Sequence, residues 1–266
     1  TSGAASCYPF VSYSICDDNG ILFGVNKHNN SLVIADIFDS RQYKNSNICI
    51  LGCSGAGKTF TMQTMALRMR RKGIQVFIIA PLKGHEFYRA ARNVGGEFIQ
   101  ISPASKNCIN IMEIRKVDNS VNELLDGPTL DASIFFSLLI PDMSHEEKQL
   151  LDEALIKTYA RKGITHKNES LTDPQHPEQY KKMPILEDVY NVLLESEDTK
   201  RLAHILNRLV HGSASSFNQQ TNVDLTNKYT VLDISELTGS SDLLTVGMFV
   251  ALDYVWDKAK ENRTEE

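Results

Sequence analysis

Apolar positions fall in two regimes along the chain. Through the first hundred residues they form short runs broken by turn formers. Ile21–Val25 and Leu32–Ile37 follow the Asp18-Asn19-Gly20 turn signal, and part-alternating Phe10–Ile15 precedes it. Asn47–Leu51 reads as a compact strand, Gln75–Ala80 as a buried one and Phe98–Ile101 as a third. Between them Met62, Met65, Ala66 and Met69 recur at helical spacing and close on Arg68, Arg70, Arg71, Lys72 and Gly73, a basic last turn followed by a C-terminal glycine. Glu86–Val94, ending at Gly95-Gly96, reads as a second helix. Strand, helix, strand, helix, strand predicts an α/β fold with a mainly parallel sheet.

From about Leu130 to Gly212 the spacing is helical. Ser144-His145-Glu146-Glu147 has the form of a capping box opening a helix to Arg161, with Leu150, Leu151, Leu155 and Ile156 on one face. Residues 165–184, polar and carrying Pro174, Pro177 and Pro184, read as a loop; Ile185–Leu194 and Lys200–Val210 read as two further helices. Tyr229–Ile234 returns to a strand, and Ser241 to about Glu261 is a long last helix. This divides the chain into an α/β core over 1–117, an all-helical insertion over 118–215 and a return to the core over 216–266.

The densest chemical signal is Gly52-Cys53-Ser54-Gly55-Ala56-Gly57-Lys58-Thr59, which satisfies GxxxxGK[ST] between an apolar run and an amphipathic helix. The glycines permit positive φ and let backbone N–H groups approach an anion, and the helix start supplies unpaired donors and a favourable dipole. Lys58 is expected at the β- and γ-phosphates, and the Thr59 hydroxyl on Mg²⁺. The nucleotide cradle comprises Gly52, Cys53, Ser54, Gly55, Ala56, Gly57, Lys58, Thr59 and Phe60. A GTPase would add NKxD and a transporter ATPase an LSGGQ-like signature; neither is in the sequence.

Composition narrows the picture further. With 42% hydrophobic and 23% charged residues in 266, the chain is of ordinary globular type. No apolar run reaches the roughly 18–20 residues of a membrane span, and no signal peptide opens the chain. Thr1 at the start points to a piece of a longer protein. Five cysteines without a CxxC pair or histidines at ligand spacing suit reduced thiols better than disulfides or zinc. The net charge of −5 hides an asymmetry: Arg41–Arg92 carries ten Lys/Arg against Glu86 alone, whereas Asp118–Ser215 carries ten against seventeen acids. The acidic part is poorly suited to nucleic-acid phosphates.

Several segments together resemble the large ATPase of type IV secretion and conjugation systems, within the FtsK–HerA group of P-loop ring motors. They are Gly20–Gly24 with Asp36 and Phe38; Leu51–Thr59; Gly95-Gly96 with Ile99–Ser102 and Asn110–Ile114; and Phe217, Thr221–Leu225, Leu232–Ile234 and the helix bearing Trp256. Versions from conjugative elements of Gram-positive bacteria look most similar. The resemblance implies a RecA-like core with a helical insertion, a Walker A loop holding ATP and Mg²⁺, and assembly as a homo-hexamer. It further implies a place at the cytoplasmic face of the membrane among other secretion or conjugation proteins. A DNA-translocating coupling protein or HerA-like motor is the alternative, motivated by the basic stretch.

Two departures from the family bear on catalysis. Where it carries Asp-Pro-Glu after the second strand, this chain has Ala80-Pro81-Leu82-Lys83-Gly84-His85-Glu86, leaving Glu86 as candidate carboxylate or as an ordinary helix N-terminal acid. Asp233 ends a plausible Walker B strand and is a candidate Mg²⁺ ligand, yet Ile234 stands where the water-polarising acid belongs. By resemblance this is instead the strand before Walker B, with the Asp-Glu pair beyond Glu266 and the fragment limited to nucleotide binding. Arg89, Arg92, Arg201 and Arg208 are all candidates for a finger acting across a subunit boundary.

Overall fold

The computed structural model describes residues 14–103, 105–114, 126–173, 176–212 and 214–263. The expected strand over Phe10–Ile15 and the insertion boundary at 118 lie largely outside them. The chain divides between Val76 and Phe77 into two compact units.

The first unit opens with an antiparallel hairpin, β1 (Ile21–Val25) and β2 (Leu32–Ala35), paired Ile21 to Ala35 and Val25 to Leu32. Asn30, at φ 57°, turns the chain between them, a left-handed conformation that asparagine tolerates better than most residues. Helix α1 (Lys58–Arg71) follows the glycine loop and buries Met65 and Ala66. Its basic end is engaged locally: Arg68 donates to the Leu22 carbonyl and the Lys72 ammonium to that of Asn19. Both acceptors belong to the hairpin segment rather than to the last carbonyls of the helix.

The predicted strand over Asn47–Leu51 does not form; residues 46–53 enter no ladder, and Leu51 is 87% exposed. An apolar run becomes a strand only where a neighbour takes its N–H and C=O groups.

In the second unit β3 (Val76–Ala80, of which Phe77–Ala80 belong to this unit), β4 (Glu97–Gln100) and β7 (Tyr229–Asp233) make a parallel sheet ordered β3-β7-β4, where β5 and β6 are the hairpin strands described below. Strand β4 pairs with β7 from Glu97 opposite Thr230 to Gln100 opposite Asp233. Helix α2 (His85–Asn93) connects β3 to β4, and all five residues of β7 are buried, as suits a central strand covered on both faces.

The helices α3 (Asp126–Leu139), α4 (His145–Arg161), α5 (Leu186–Leu193), α6 (Lys200–Val210) and α7 (Ser241–Arg263) belong to this same unit. Phe135, Phe136, Leu155, Tyr159, Leu206 and Val246 join Ile99 of β4 and Leu232 of β7 in one continuous apolar cluster. Phe217 belongs to it too, so the core has no break at the expected 215/216 boundary. The capping box forms as its sequence requires: Ser144 Oγ accepts from the Glu147 N–H at 3.1 Å, and Glu147 Oε2 accepts from the Ser144 N–H at 2.9 Å.

The segment expected to be all-helical is not. Within the presumed loop, β5 (Thr172–Asp173) and β6 (His176–Tyr180) form a small antiparallel hairpin after a 3₁₀ turn over Asn168–Leu171. Its base is fixed by Lys181, whose N–H donates to the Leu171 carbonyl and whose ammonium donates to Gly163 O.

Two of the segments that carry the family resemblance are laced together. The Cys108 N–H donates to Asn222 Oδ1 at 2.8 Å and the Asn110 N–H to Thr221 Oγ1 at 2.9 Å; the Thr221 hydroxyl donates to the Glu113 carboxylate. Asn110 Nδ2 reaches the Pro184 carbonyl and the Tyr159 hydroxyl that of Met112. These side chains satisfy buried backbone groups that no helix or ladder serves.

Candidate nucleotide-binding site

The site is built from the turn before α1. Gly55 and Gly57 adopt φ of 79° and 86°, where a Cβ would be strained, and Gly57 caps the helix without a side chain. The Ala56 N–H closes a tight turn on Cys53 O at 3.2 Å. Lys58 folds back so that Nζ donates to Gly52 O and Cys53 O, each at 2.8 Å, bracing the start of the loop against its end. The first intrahelical bond from this end is Thr61 N–H to Gly57 O, which leaves the Lys58, Thr59 and Phe60 N–H groups without helical acceptors. No acidic residue stands in the first turn of α1 to neutralise them.

Residues 52–57 are exposed and Lys58 and Thr59 half-buried. Backbone donors, a helix N-terminus, an ammonium and a hydroxyl therefore converge at the surface. That donor set fits a polyphosphate, with Thr59 able to contribute its oxygen to a divalent cation.

Glu86 and Asp233 lie in the second unit, at the carboxyl end of its sheet, where open α/β folds place their ligands. Glu86 stands in the first turn of α2, its carboxylate 3.7 Å from Lys83 Nζ. Asp233 is 3% exposed. Its Oδ1 accepts from the Ser235 N–H at 2.9 Å, and its carboxylate rests so closely on Gly84 that any Cβ there would overlap it.

The main chain continues the same brace. Ile101 N–H donates to Asp233 O at 2.8 Å and Ile234 N–H to Ala80 O at 3.1 Å, joining the exits of all three strands. Among the described residues no three His, Cys, Asp or Glu side chains gather as a metal site. In this arrangement Asp233 holds the β3–α2 turn rather than presenting a carboxylate to solvent.

That turn carries what sequence reasoning missed: Lys83 at φ 53°, Gly84 beneath the carboxylate, and Gln100 Nε2 donating to Glu236 Oε1 at 2.7 Å. Only the Lys83-Gly84 pair, a turn signal, is visible in one dimension. Of the arginine candidates, Arg201 is engaged by Asp142 at 2.6 Å and Glu147 at 2.8 Å, and Arg92 donates to the Tyr88 hydroxyl; Arg89 and Arg208 are exposed.

The fold and the loop define an α/β protein that carries a P-loop sequence and has helices added to its sheet. Neither the protein-family models nor the curated proteins contain a match to the chain. Among solved structures, it superposes on VirB4 of Thermoanaerobacter pseudethanolicus with a TM-score of 0.80 and 26% sequence identity, over 95% of this chain and 67% of that one. The chain is VirB4-like, in agreement with the resemblance to type IV secretion ATPases carried by its sequence segments. No helix among the described residues is long and apolar enough to cross a membrane.

Proposed function

We propose that the chain is the ATP-binding motor domain of a type IV secretion or conjugative transfer ATPase, in which ATP binding and hydrolysis drive substrate transfer or channel assembly. The observation that carries this reading is the exposed loop on α1, with two positive-φ glycines, free N–H groups and the Lys58 ammonium at its centre. Gly52 to Gly57 would wrap the phosphates, and Lys58 would exchange its two carbonyl partners for β- and γ-phosphate oxygens. Thr59 would hold Mg²⁺, which when bound offsets phosphate charge. Glu86 is a candidate carboxylate for the reaction. Assembly as a hexamer at the cytoplasmic face of the membrane, with an arginine reaching across a subunit boundary, completes the proposal. The acidic helical segment suits contacts with other secretion proteins.

Calorimetry with Mg·ATP on the chain and on its Lys58→Ala variant tests the binding step. Saturable heat in the first and none in the second is expected; equal heats would overturn the assignment. A DNA-translocating motor is separated by salt: affinity falling steeply with log[salt] would favour it, because each phosphate contact releases counterions. The engagement of Arg68 and Lys72 by Leu22 and Asn19 carbonyls favours the secretion reading.

A further inference from the structure

Phe60 is the least expected residue of α1. It is 74% exposed, although aromatic rings are among the side chains most favoured by burial. The buried side of the helix carries Met65 and Ala66, with Met69 partly covered. At 3.6 residues per turn these lie about 140–240° around the axis from Phe60. Phe60 thus takes no part in packing α1. It is also the third residue of the helix, directly after Lys58 and Thr59. Helical Cα–Cβ bonds tilt toward the N-terminus, and long side chains lean over the preceding turn. For Phe60 that direction is toward the glycine loop.

A nucleoside triphosphate held by this loop carries its ribose and base outward from the α-phosphate. We propose that Phe60 is the platform on which the nucleobase stacks, making this one residue the contact that distinguishes a nucleotide from bare polyphosphate. The proposal rests on the nucleotide-binding reading above and deepens it. Every base presents a π-face, so stacking on an aromatic ring is tolerant of base identity. The platform therefore takes nucleoside triphosphates without choosing sharply between ATP and GTP.

The test uses the whole 266-residue chain and three probes with Mg²⁺: ATP, GTP and inorganic tripolyphosphate. Phe60→Ala is expected to weaken ATP and GTP by similar factors, about 5- to 100-fold, and to leave tripolyphosphate affinity unchanged. Phe60→Trp is expected to restore both nucleotides. Unchanged ATP affinity in Phe60→Ala would overturn the platform, as would equal losses for ATP and tripolyphosphate, which would mark a distorted loop. Loss of affinity accompanied by a smaller particle in size-exclusion chromatography would assign Phe60 to a contact between copies and overturn it too. Failure of the wild-type chain to bind tripolyphosphate or ATP at all would instead reject the nucleotide-binding reading itself.

Discussion

The turn at Gly52–Thr59 and the turn at Asp233–Ser235 both gather polar groups beside a helix N-terminus, and they use them in opposite ways. In the first, N–H groups of Lys58, Thr59 and Phe60 lack helical acceptors and the lysine bonds only to surface carbonyls. In the second, a nearly buried carboxylate accepts a backbone N–H and presses on Gly84 beside α2, and main-chain bonds tie three strand exits together. One turn keeps its donors for a ligand, and the other uses its charge to hold the protein's own chain. Residue type alone does not separate these roles; the difference lies in whether the hydrogen-bonding capacity is already taken.

Substitutions sharpen the contrast. The largest stability effect belongs to the core of the second unit: Phe135→Ala, at a fully buried position, is expected to cost about 3–5 kcal/mol in urea unfolding. Lys58→Ala, in the open turn, should leave the unfolding midpoint nearly unchanged while weakening Mg·ATP binding by roughly 10²–10³-fold. A large drop in stability would show that the lysine holds the fold instead. Gly84→Ala should show the reverse pattern, losing about 1–3 kcal/mol by overpacking against Asp233, with Asp233→Ala in the same chain recovering part of the loss. Absence of recovery would break the account of Asp233 as a brace.

Ser144→Ala, which removes the box at the start of α4, is expected to cost about 1 kcal/mol. The Ser144 N–H, then the Arg201 guanidinium, hold the Glu147 carboxyl below its ordinary range. A lowered folded-state value means the stabilisation is present above the unfolded value and disappears as pH falls through the folded one. The gap between wild type and Glu147→Gln should therefore narrow on acidification through the carboxylate range and stay constant above it.

Much of the architecture was legible from spacing alone. Ile21–Val25 and Lys200–Val210 form with the bounds their patterns imply, and the capping box fixes the start of α4, because each depends on neighbours a few residues away. Asn47–Leu51 was misread because an apolar run does not specify the partner that would make it a strand. The hairpin at 172–180 was hidden by Pro174 between its strands and Pro177 within β6, and by polar residues that suit a surface ribbon. The glycine loop announces itself in sequence because its function lies in consecutive residues. The state of Asp233 does not, since it depends on Gly84, far away along the chain.

The position of β7 between β3 and β4 has a consequence for synthesis. A nascent chain emerging from the ribosome presents β3, α2 and β4 early, but the strand that bridges them follows only after α3 to α6 have been made. At about 5–20 residues per second, that interval is on the order of 10 s. For that time the facing edges of β3 and β4 have no native partner, which makes the half-made polypeptide a natural client for chaperones that shield open strands.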